Sequence, residues 1–174
     1  MTRSMRLFIA LQFDDNIIDE LEYFQGMLKD EGVTGNFSSK ENLHLTLAFI
    51  GDYNDPDEVL DAMEQIDFRP VDIELDGVGF FGDIFWAGIK ENPQLAGYVR
   101  RLRHGLADAG IPFDKKKFNP HITLVRKFAY KKGDVIPVWD APRGKMTATR
   151  ISLMRSDRGK NGMIYTEAGY IGED

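Results

Sequence analysis

The sequence predicts one α+β domain, spanning 1–174, made of two similar halves. Segments in which apolar and polar residues alternate, as in half-buried strands, are interleaved with segments whose apolar residues recur at helical spacing. A tetrapeptide of the form His-aliphatic-Thr-Leu occurs once in each half, at His44–Leu47 and at His121–Leu124. The chain has 174 residues, which is enough for a single domain with a proper hydrophobic core.

In the first half, alternation along Arg6–Phe13 predicts a strand with Leu7, Ile9 and Leu11 on one face. Apolar residues at helical spacing over 17–28 predict a helix that follows it. The other predicted elements of this half are a strand over 43–50, a helix that starts at Asp55-Pro56, and two strands over 71–75 and 84–90.

The second half repeats this order of elements. Asn92-Pro93 is typical of a helix start, with Asn as the N-cap and Pro in the first turn, and the helical spacing continues to Ala109. Three predicted strands follow, over His121–Phe128, Lys145–Met154 and Met163–Tyr170.

The composition is that of an ordinary globular domain, with 43% hydrophobic and 29% charged residues. The longest apolar run near the N-terminus, Leu7–Leu11, is too short for a signal-peptide core or a spanning helix. We therefore expect a cytoplasmic protein, and we also expect a monomer. Cysteine is absent, which excludes disulfides, a thiolate nucleophile and a cysteine-based zinc site.

Charge is unevenly distributed along the chain. The formal net charge is −6, yet the segment 100–132 holds ten Lys and Arg residues against Asp108 and Asp114. This cluster is compatible with a solvated basic face. A local basic surface on an acidic protein also suits a short anionic ligand better than a long duplex, because duplex binding rests on many phosphate contacts.

The repeated tetrapeptide is the strongest chemical signal. In a regular strand His44 and Thr46 share one face, while Leu45, Leu47 and Phe49 share the other. The second copy has the same pattern. An imidazole can transfer a proton near neutral pH, and a hydroxyl can donate a hydrogen bond to a phosphate oxygen. One such strand would be typical of a half-exposed edge, but two copies favour a functional pair.

Further residues extend this pattern to a known family. The segments that carry the resemblance are RLFIAL at 6–11, ENLHLTLAFIG at 41–51, FWAGI at 85–89, FNPHITLVR at 118–126 and SLMRSDRGKNGMIYT at 152–166. With them the chain resembles the two-histidine (2H) phosphoesterase superfamily, and within it the RNA 2′,3′-cyclic phosphodiesterases, also called bacterial and archaeal 2′-5′ RNA ligases. The resemblance implies a bilobal, pseudo-twofold fold in which two antiparallel sheets line a central cleft and the helices lie outside.

The resemblance also implies the chemistry. Such proteins open 2′,3′-cyclic phosphates at RNA ends to 2′-phosphomonoesters, using two histidines and no metal or cofactor. By this resemblance His44 is the general acid and His121 the general base, while Thr46, Thr123 and Arg126 bind the phosphate. In the reverse direction the same chemistry is 2′-5′ RNA ligation.

Two other functions remain open from the sequence. The same fold could hold a nucleotide or an RNA end without turnover. Alternatively, it could act on linear 2′-5′ oligonucleotides, because the motifs specify the phosphate and not the leaving group.

Arg126 and Phe8 are two further candidates for the site, and each needs its own explanation. Arg126 stands an odd number of residues from His121, so a regular strand would direct it away from the cleft. It reaches the phosphate either because the strand bulges or because its long side chain wraps back from the strand end. Phe8, on the polar face of the first strand, is a candidate for stacking on a base or for sealing the cleft.

A second motif needs a separate interpretation. Gly77–Gly82 matches the G-x-G-x-x-G pattern of dinucleotide-binding proteins, which requires a strand before it and a helix after it. Because a strand is predicted over 84–90, we interpret the glycines as the connection of a hairpin. Lys115–Lys117 is either a solvated loop or an RNA contact.

Overall fold

The computed structural model describes residues 5–133, 136 and 140–173. Within these residues the chain forms two antiparallel sheets, three α-helices and one short 3₁₀ turn, Lys40–Asn42. The strands are β1 (Met5–Gln12), β2 (Val33–Phe37), β3 (His44–Tyr53), β4 (Val71–Phe81), β5 (Ile84–Ile89), β6 (Ile122–Tyr130), β7 (Lys145–Ala148), β8 (Arg150–Gly159) and β9 (Gly162–Gly172). The helices are α1 (Asp15–Asp30), α2 (Pro56–Glu64) and α3 (Pro93–Asp108).

The two sheets divide the strands between them. Sheet A has the order β3-β1-β8-β9 and sheet B the order β2-β6-β5-β4-β7, and each pair of neighbours is antiparallel. The predicted α+β class with two antiparallel sheets is confirmed. However, the two sheets do not correspond to the N-terminal and C-terminal halves of the chain. Strand β2, from the N-terminal half, belongs to sheet B, and the C-terminal strands β8 and β9 belong to sheet A.

The helices begin where the sequence predicts. The side chains of Asp55 and Asn92 accept hydrogen bonds from backbone N–H groups in the first turns of α2 and α3, and Pro56 and Pro93 occupy positions that need no donor. After α3, Gly110 takes a φ of 75°, a conformation that costs glycine little. Local sequence therefore determines these boundaries.

The first strand has both faces buried, and the two faces serve different purposes. Leu7, Ile9 and Leu11 lie in the main core that the helices cover, with none of their surface exposed. Phe8 and Ala10 belong to a smaller cluster on the opposite face of sheet A. Each fully buried Leu, Ile or Phe side chain stabilises the fold by about 1.5–3 kcal/mol, so β1 anchors the core and also supports the face that carries the site.

The structure differs from the prediction in three parts of the chain. Strand β2 was not predicted, because only Val33 of its five residues is fully buried and its stability comes from pairing with β6. The segment predicted as Lys145–Met154 is two strands, since the chain passes from sheet B to sheet A at Thr149. A single apolar alternation cannot reveal such a crossing.

The glycine-rich segment Gly77–Gly82 is the third difference. It is followed by strand β5 and not by the helix that the dinucleotide-binding motif requires, so the hairpin interpretation is confirmed. The hairpin connection is shorter than predicted, since β4 continues to Phe81. Gly79 pairs with Trp86 in this hairpin, and a Cβ atom there would come within 2.5 Å of the Trp86 ring, so the indole occupies the space of a side chain.

Candidate active site

The two motif histidines have matching local geometry. His44 is the first residue of β3, and His121 immediately precedes β6. In each case the ring Nδ1 lies 2.7 Å from the backbone carbonyl oxygen two residues earlier, that of Asn42 or Asn119. Because a carbonyl can only accept, Nδ1 carries the proton. In the neutral ring the basic lone pair is therefore on Nε2, the same atom in both motifs.

The threonines lie with the histidines, as the strand alternation predicts. The Thr46 Oγ1 is 2.9 Å from Nε2 of His44, so the hydroxyl donates to the neutral ring in the unliganded protein. Thr123 pairs with Trp86 of β5 and is partly buried. We call the faces of the two sheets that carry these residues the cleft faces.

A bulge changes the orientation of the residues that follow Thr46. Thr46 pairs with Ala10 of β1 and Ala48 pairs with Ile9, so Leu47 is an extra residue in β3. Leu47 and Ala48 are both buried in the main core, and Phe49 packs on the opposite face near Phe8. The prediction that Phe49 shares a face with Leu45 is therefore wrong, because it assumed an unbroken alternation.

A bulge in β6 explains why Arg126 lies on the cleft face although it is an odd number of residues from His121. Thr123 pairs with Trp86 and Val125 with Phe85, which leaves Leu124 as the extra residue. Leu124 and Val125 are both buried, and the alternation then returns to the cleft face at Arg126. Of the two explanations that the sequence left open, the structure has the bulge.

His44 is partly buried among aromatic rings. Its ring centroid lies 4.9 Å from that of Phe8 and 5.2 Å from that of Tyr165, which meets it edge-on at 79°. Burial lowers the pKa of His44 from 6.5 to about 4, the hydrogen bond to Asn42 opposes this, and the charges of Arg126 and His121 lower it further. The last two effects mean that Arg126 and His121 lie within electrostatic reach of His44.

Phe8 is almost completely buried beside the first motif. Only 3% of its surface is exposed, because it packs against both His44 and Tyr165, which also contact each other. This burial favours the second of the two hypotheses for Phe8, that it seals the cleft, over base stacking. Tyr165 was missed by sequence reasoning, since only the pairing of β8 with β9 brings it beside the first motif.

His121 has a more open environment. The ring of Phe81 meets it edge-on at 87° with centroids 5.3 Å apart, and 41% of Phe81 is exposed. Phe81 also packs on Trp86 at 5.2 Å. The sequence offered no signal for Phe81 beyond its place in the glycine-rich segment.

A polar cluster adjoins His44 on sheet A. Gln12 pairs with His44 across β1 and β3, and its side chain donates to Ser152 and to Glu167, at 3.0 Å and 2.9 Å. Glu167 also accepts from the buried Ser152 at 2.7 Å and from Arg150 at 2.9 Å. No role is predicted for these residues from the sequence, and the cluster joins three strands of sheet A beside the first histidine.

Arg103 of α3 connects the two motifs. Its guanidinium donates to the carbonyl of Leu47, the bulged residue of β3, at 3.2 Å and to the carbonyl of Lys116 at 2.6 Å. In addition, the Asp114 N–H donates to the carbonyl of Phe49 at 2.8 Å. The loop that leads to His121 is thus attached to the strand that carries His44.

Neither a metal cluster nor a membrane-spanning helix is found in the part of the chain that the structure describes. In residues 5–133, 136 and 140–173, no three His, Asp or Glu side chains are grouped as they would be around a metal ion. In the same part of the chain, none of the helices is both long and apolar enough to cross a membrane.

Comparison with known proteins agrees with this geometry. A family model described as the 2′-5′ RNA ligase superfamily matches residues 14–160. The RNA 2′,3′-cyclic phosphodiesterase of Methanocaldococcus jannaschii is 31% identical, with 92% of this chain and 96% of the relative covered. The protein of the same name from Thermotoga maritima is 27% identical, with 92% and 91% covered.

Solved structures share the fold. The apo crystal structure of Escherichia coli LigT matches with a TM-score of 0.80 at 24% identity, covering 98% of both chains. The structure of that protein complexed with 3′-AMP also matches with a TM-score of 0.80. With the family model matching most of its length and two histidine motifs placed on cleft faces, the chain belongs to the 2′-5′ RNA ligase superfamily of 2H phosphoesterases.

Proposed function

We propose that this chain is an RNA 2′,3′-cyclic 3′-phosphodiesterase, which hydrolyses terminal cyclic phosphates to 2′-phosphomonoesters by metal-independent acid–base catalysis. The observation that carries the proposal is the matched pair of histidines. Each fixes its Nδ1–H on a backbone carbonyl and keeps Nε2 as the basic atom. Several relatives named RNA 2′,3′-cyclic phosphodiesterase, at 25–31% identity over most of the chain, support the substrate class.

In the proposed reaction His121 Nε2 takes a proton from water as the water oxygen attacks phosphorus. The bond from phosphorus to O3′ breaks, and protonated His44 donates its Nε2 proton to O3′. Each such proton transfer is typically worth about 10²–10⁴ in rate. In-line displacement puts the water and O3′ on opposite sides of phosphorus, so the two histidines serve opposite sides of one phosphate.

The acid role of His44 depends on the substrate. In the unliganded protein its pKa of about 4 leaves the ring neutral at pH 7. A phosphate anion about 4 Å away would favour the protonated ring by about 4 kcal/mol at the effective dielectric of a protein surface. This raises the proton affinity of the ring about a thousandfold. Binding of the cyclic phosphate therefore charges the acid that the reaction needs.

The remaining residues stabilise the phosphate. On binding, the Thr46 hydroxyl turns from Nε2 of His44 to a non-bridging oxygen, which frees Nε2 for the reaction. Thr123 and Arg126 bind the same oxygens from sheet B. Hydrogen-bond donors preorganised around developing charge are usually the largest contribution to such catalysis.

The test is an assay of 2′,3′-cyclic nucleotides and of RNAs with a terminal cyclic phosphate, in the presence of excess chelator. We expect turnover with a 2′-phosphate as the main product. Activity that chelation removes and a divalent ion restores would contradict the metal-independent mechanism. Binding without turnover would instead support a nucleotide-binding module. A cytoplasmic location and a monomeric state are further predictions, to be checked by cell fractionation and by light scattering.

A further inference from the structure

The ring of Phe81 is a large apolar surface at the edge of the cleft. It is 41% exposed although it contacts His121, which the proposed mechanism uses as the base. By strand pairing, Phe81 lies opposite Ile84 and on the same face as Gly79 and Trp86. An exposed aromatic ring held beside a catalytic group is well placed to bind a ligand with its free face.

The hairpin holds this ring in a defined position. Trp86 backs it at 5.2 Å, with the ring planes 33° apart. The indole of Trp86 lies against the backbone of Gly79, where a Cβ atom would come within 2.5 Å of the ring. The neighbouring Phe80 lies on the opposite face, where it packs on Phe128 and is 64% exposed. The two phenylalanines thus differ in face and in neighbours, although both are exposed.

In-line geometry determines which part of the substrates lies near the Phe81 ring. In the proposed function, on which this inference rests, O3′ and its ribose leave on the side of His44, and the nucleophile arrives on the side of His121. Water carries nothing that could touch the ring. An alcohol carries its substituent, and for the 5′-hydroxyl end of an RNA that substituent is a nucleoside.

We propose that Phe81 is the specificity-determining residue for an RNA acceptor, and that it stacks on the nucleobase next to an attacking 5′-hydroxyl. His121 takes the proton of that hydroxyl, the 5′ oxygen bonds to phosphorus, the bond to O3′ breaks, and O3′ takes a proton from His44. The product is a 2′-5′ phosphodiester, and the reverse sequence cleaves it. Atoms and charge balance without a co-reactant.

The charge near His121 agrees with an RNA acceptor. The loop that leads to this histidine carries Lys115, Lys116 and Lys117, and all three are exposed. Its backbone is held in place through Arg103, so these side chains belong to an anchored segment. Exposed ammonium groups interact favourably with the backbone phosphates of a single strand, while an aromatic ring stacks on its bases.

The experiment measures how the cyclic phosphate partitions between water and an alcohol. The wild type, Phe81→Ala, Phe81→Trp and the control Phe80→Ala receive 2′,3′-cyclic AMP with either a 5′-hydroxyl dinucleotide or methanol. Phe81→Ala should lower the ratio of dinucleotide transfer to hydrolysis by about 5- to 150-fold, the range that one base–aromatic stack supports. Phe81→Trp should keep this ratio, and Phe80→Ala should leave both reactions unchanged.

Three results would contradict the role of Phe81 in binding the acceptor base. An unchanged ratio in Phe81→Ala would overturn the inference, and so would an equal fall in the methanol ratio, which would mean that the ring excludes water and binds no base. A wild type that hydrolyses the cyclic phosphate without transferring it to the dinucleotide would also overturn it. That last result would leave the proposed phosphodiesterase intact, whereas absence of hydrolysis would contradict the proposed function itself.

Discussion

The two histidine motifs have nearly the same sequence and the same local hydrogen bond, yet their environments differ. His44 is partly buried against Phe8 and Tyr165, and burial lowers its pKa to about 4. His121 lies beside the exposed ring of Phe81, at the end of a loop that carries three exposed lysines. The two motifs thus have similar backbone geometry, but the side chains that surround the two imidazoles differ.

This difference in solvent exposure suits the two histidines to different steps of the proposed reaction. The enclosed side, at His44, suits a group that must be desolvated and charged only when phosphate is present. The open side, at His121, suits an incoming nucleophile that must enter from solvent. Substitutions and titrations at the two motifs can separate these two roles.

Replacing either motif histidine by Ala should lower kcat by about 10²–10⁴. His104, which is exposed on α3 and contacts Asp108, is the matched control, and His104→Ala should retain activity. A substrate with sulfur in place of O3′ has a better leaving group and needs less protonation. It should therefore rescue His44→Ala more than His121→Ala.

Steady-state rates with the oxygen and sulfur substrates measure that rescue. Stronger rescue of His121→Ala would reverse the two roles, and the acceptor side would then adjoin His44.

Phosphate binding should increase the proton affinity of His44 about a thousandfold, by the Coulomb attraction estimated above. NMR titration of the imidazole signals, assigned with His44→Gln, should give a pKa of about 4 in the free protein. Saturation with inorganic phosphate should raise that pKa. A pKa that does not move with phosphate would remove the basis for the acid role.

Folding stability should decrease as pH falls from about 6.5 to about 4. In this range the unfolded chain binds a proton at His44 and the folded chain does not, because the folded pKa is depressed. The linked loss amounts to about 3 kcal/mol at most. Urea unfolding of the wild type and His44→Gln at pH 7 and pH 4 measures it, and the variant should lose less stability. Equal losses would contradict the depressed pKa.

Thr46→Val and Thr123→Val should each lower kcat/KM roughly tenfold to hundredfold, because a hydrogen bond to a charged group is worth roughly 1.5–3 kcal/mol. Valine keeps the shape of the side chain, so the folded state should persist. Thr46→Val should also alter the His44 titration, since Thr46 donates to Nε2 of the neutral ring. Wild-type rates in both variants would make the threonines structural.

Arg103→Met should lower kcat about tenfold, because the loop before His121 loses its attachment to Leu47 and misplacement by a fraction of an ångström is costly in such sites. Arg100→Met, at an exposed position of the same helix, is the control. Arg103→Lys keeps the charge and should recover part of the rate. If all three variants match the wild type, Arg103 does not position the second motif.

Elements whose signal is local were predicted correctly. The capped helix starts at Asp55 and Asn92 depend only on neighbouring residues, and the structure has both. Strand β2 is not predicted, because Val33–Phe37 lacks the alternation of apolar and polar residues and forms a strand only by pairing with β6. The break at Thr149 was missed for a related reason, since a change of sheet leaves the alternation nearly intact.

The pairing of a histidine with a threonine on one face of each motif follows from the sequence alone, because it depends on the period of a strand. The remaining features of the site depend on contacts between distant parts of the chain. Bulges at Leu47 and Leu124 depend on the register of β1 and β5, and they set the faces of Phe49 and Arg126. The two histidines differ because burial is imposed by side chains distant in sequence, and no tetrapeptide encodes its own solvent exposure.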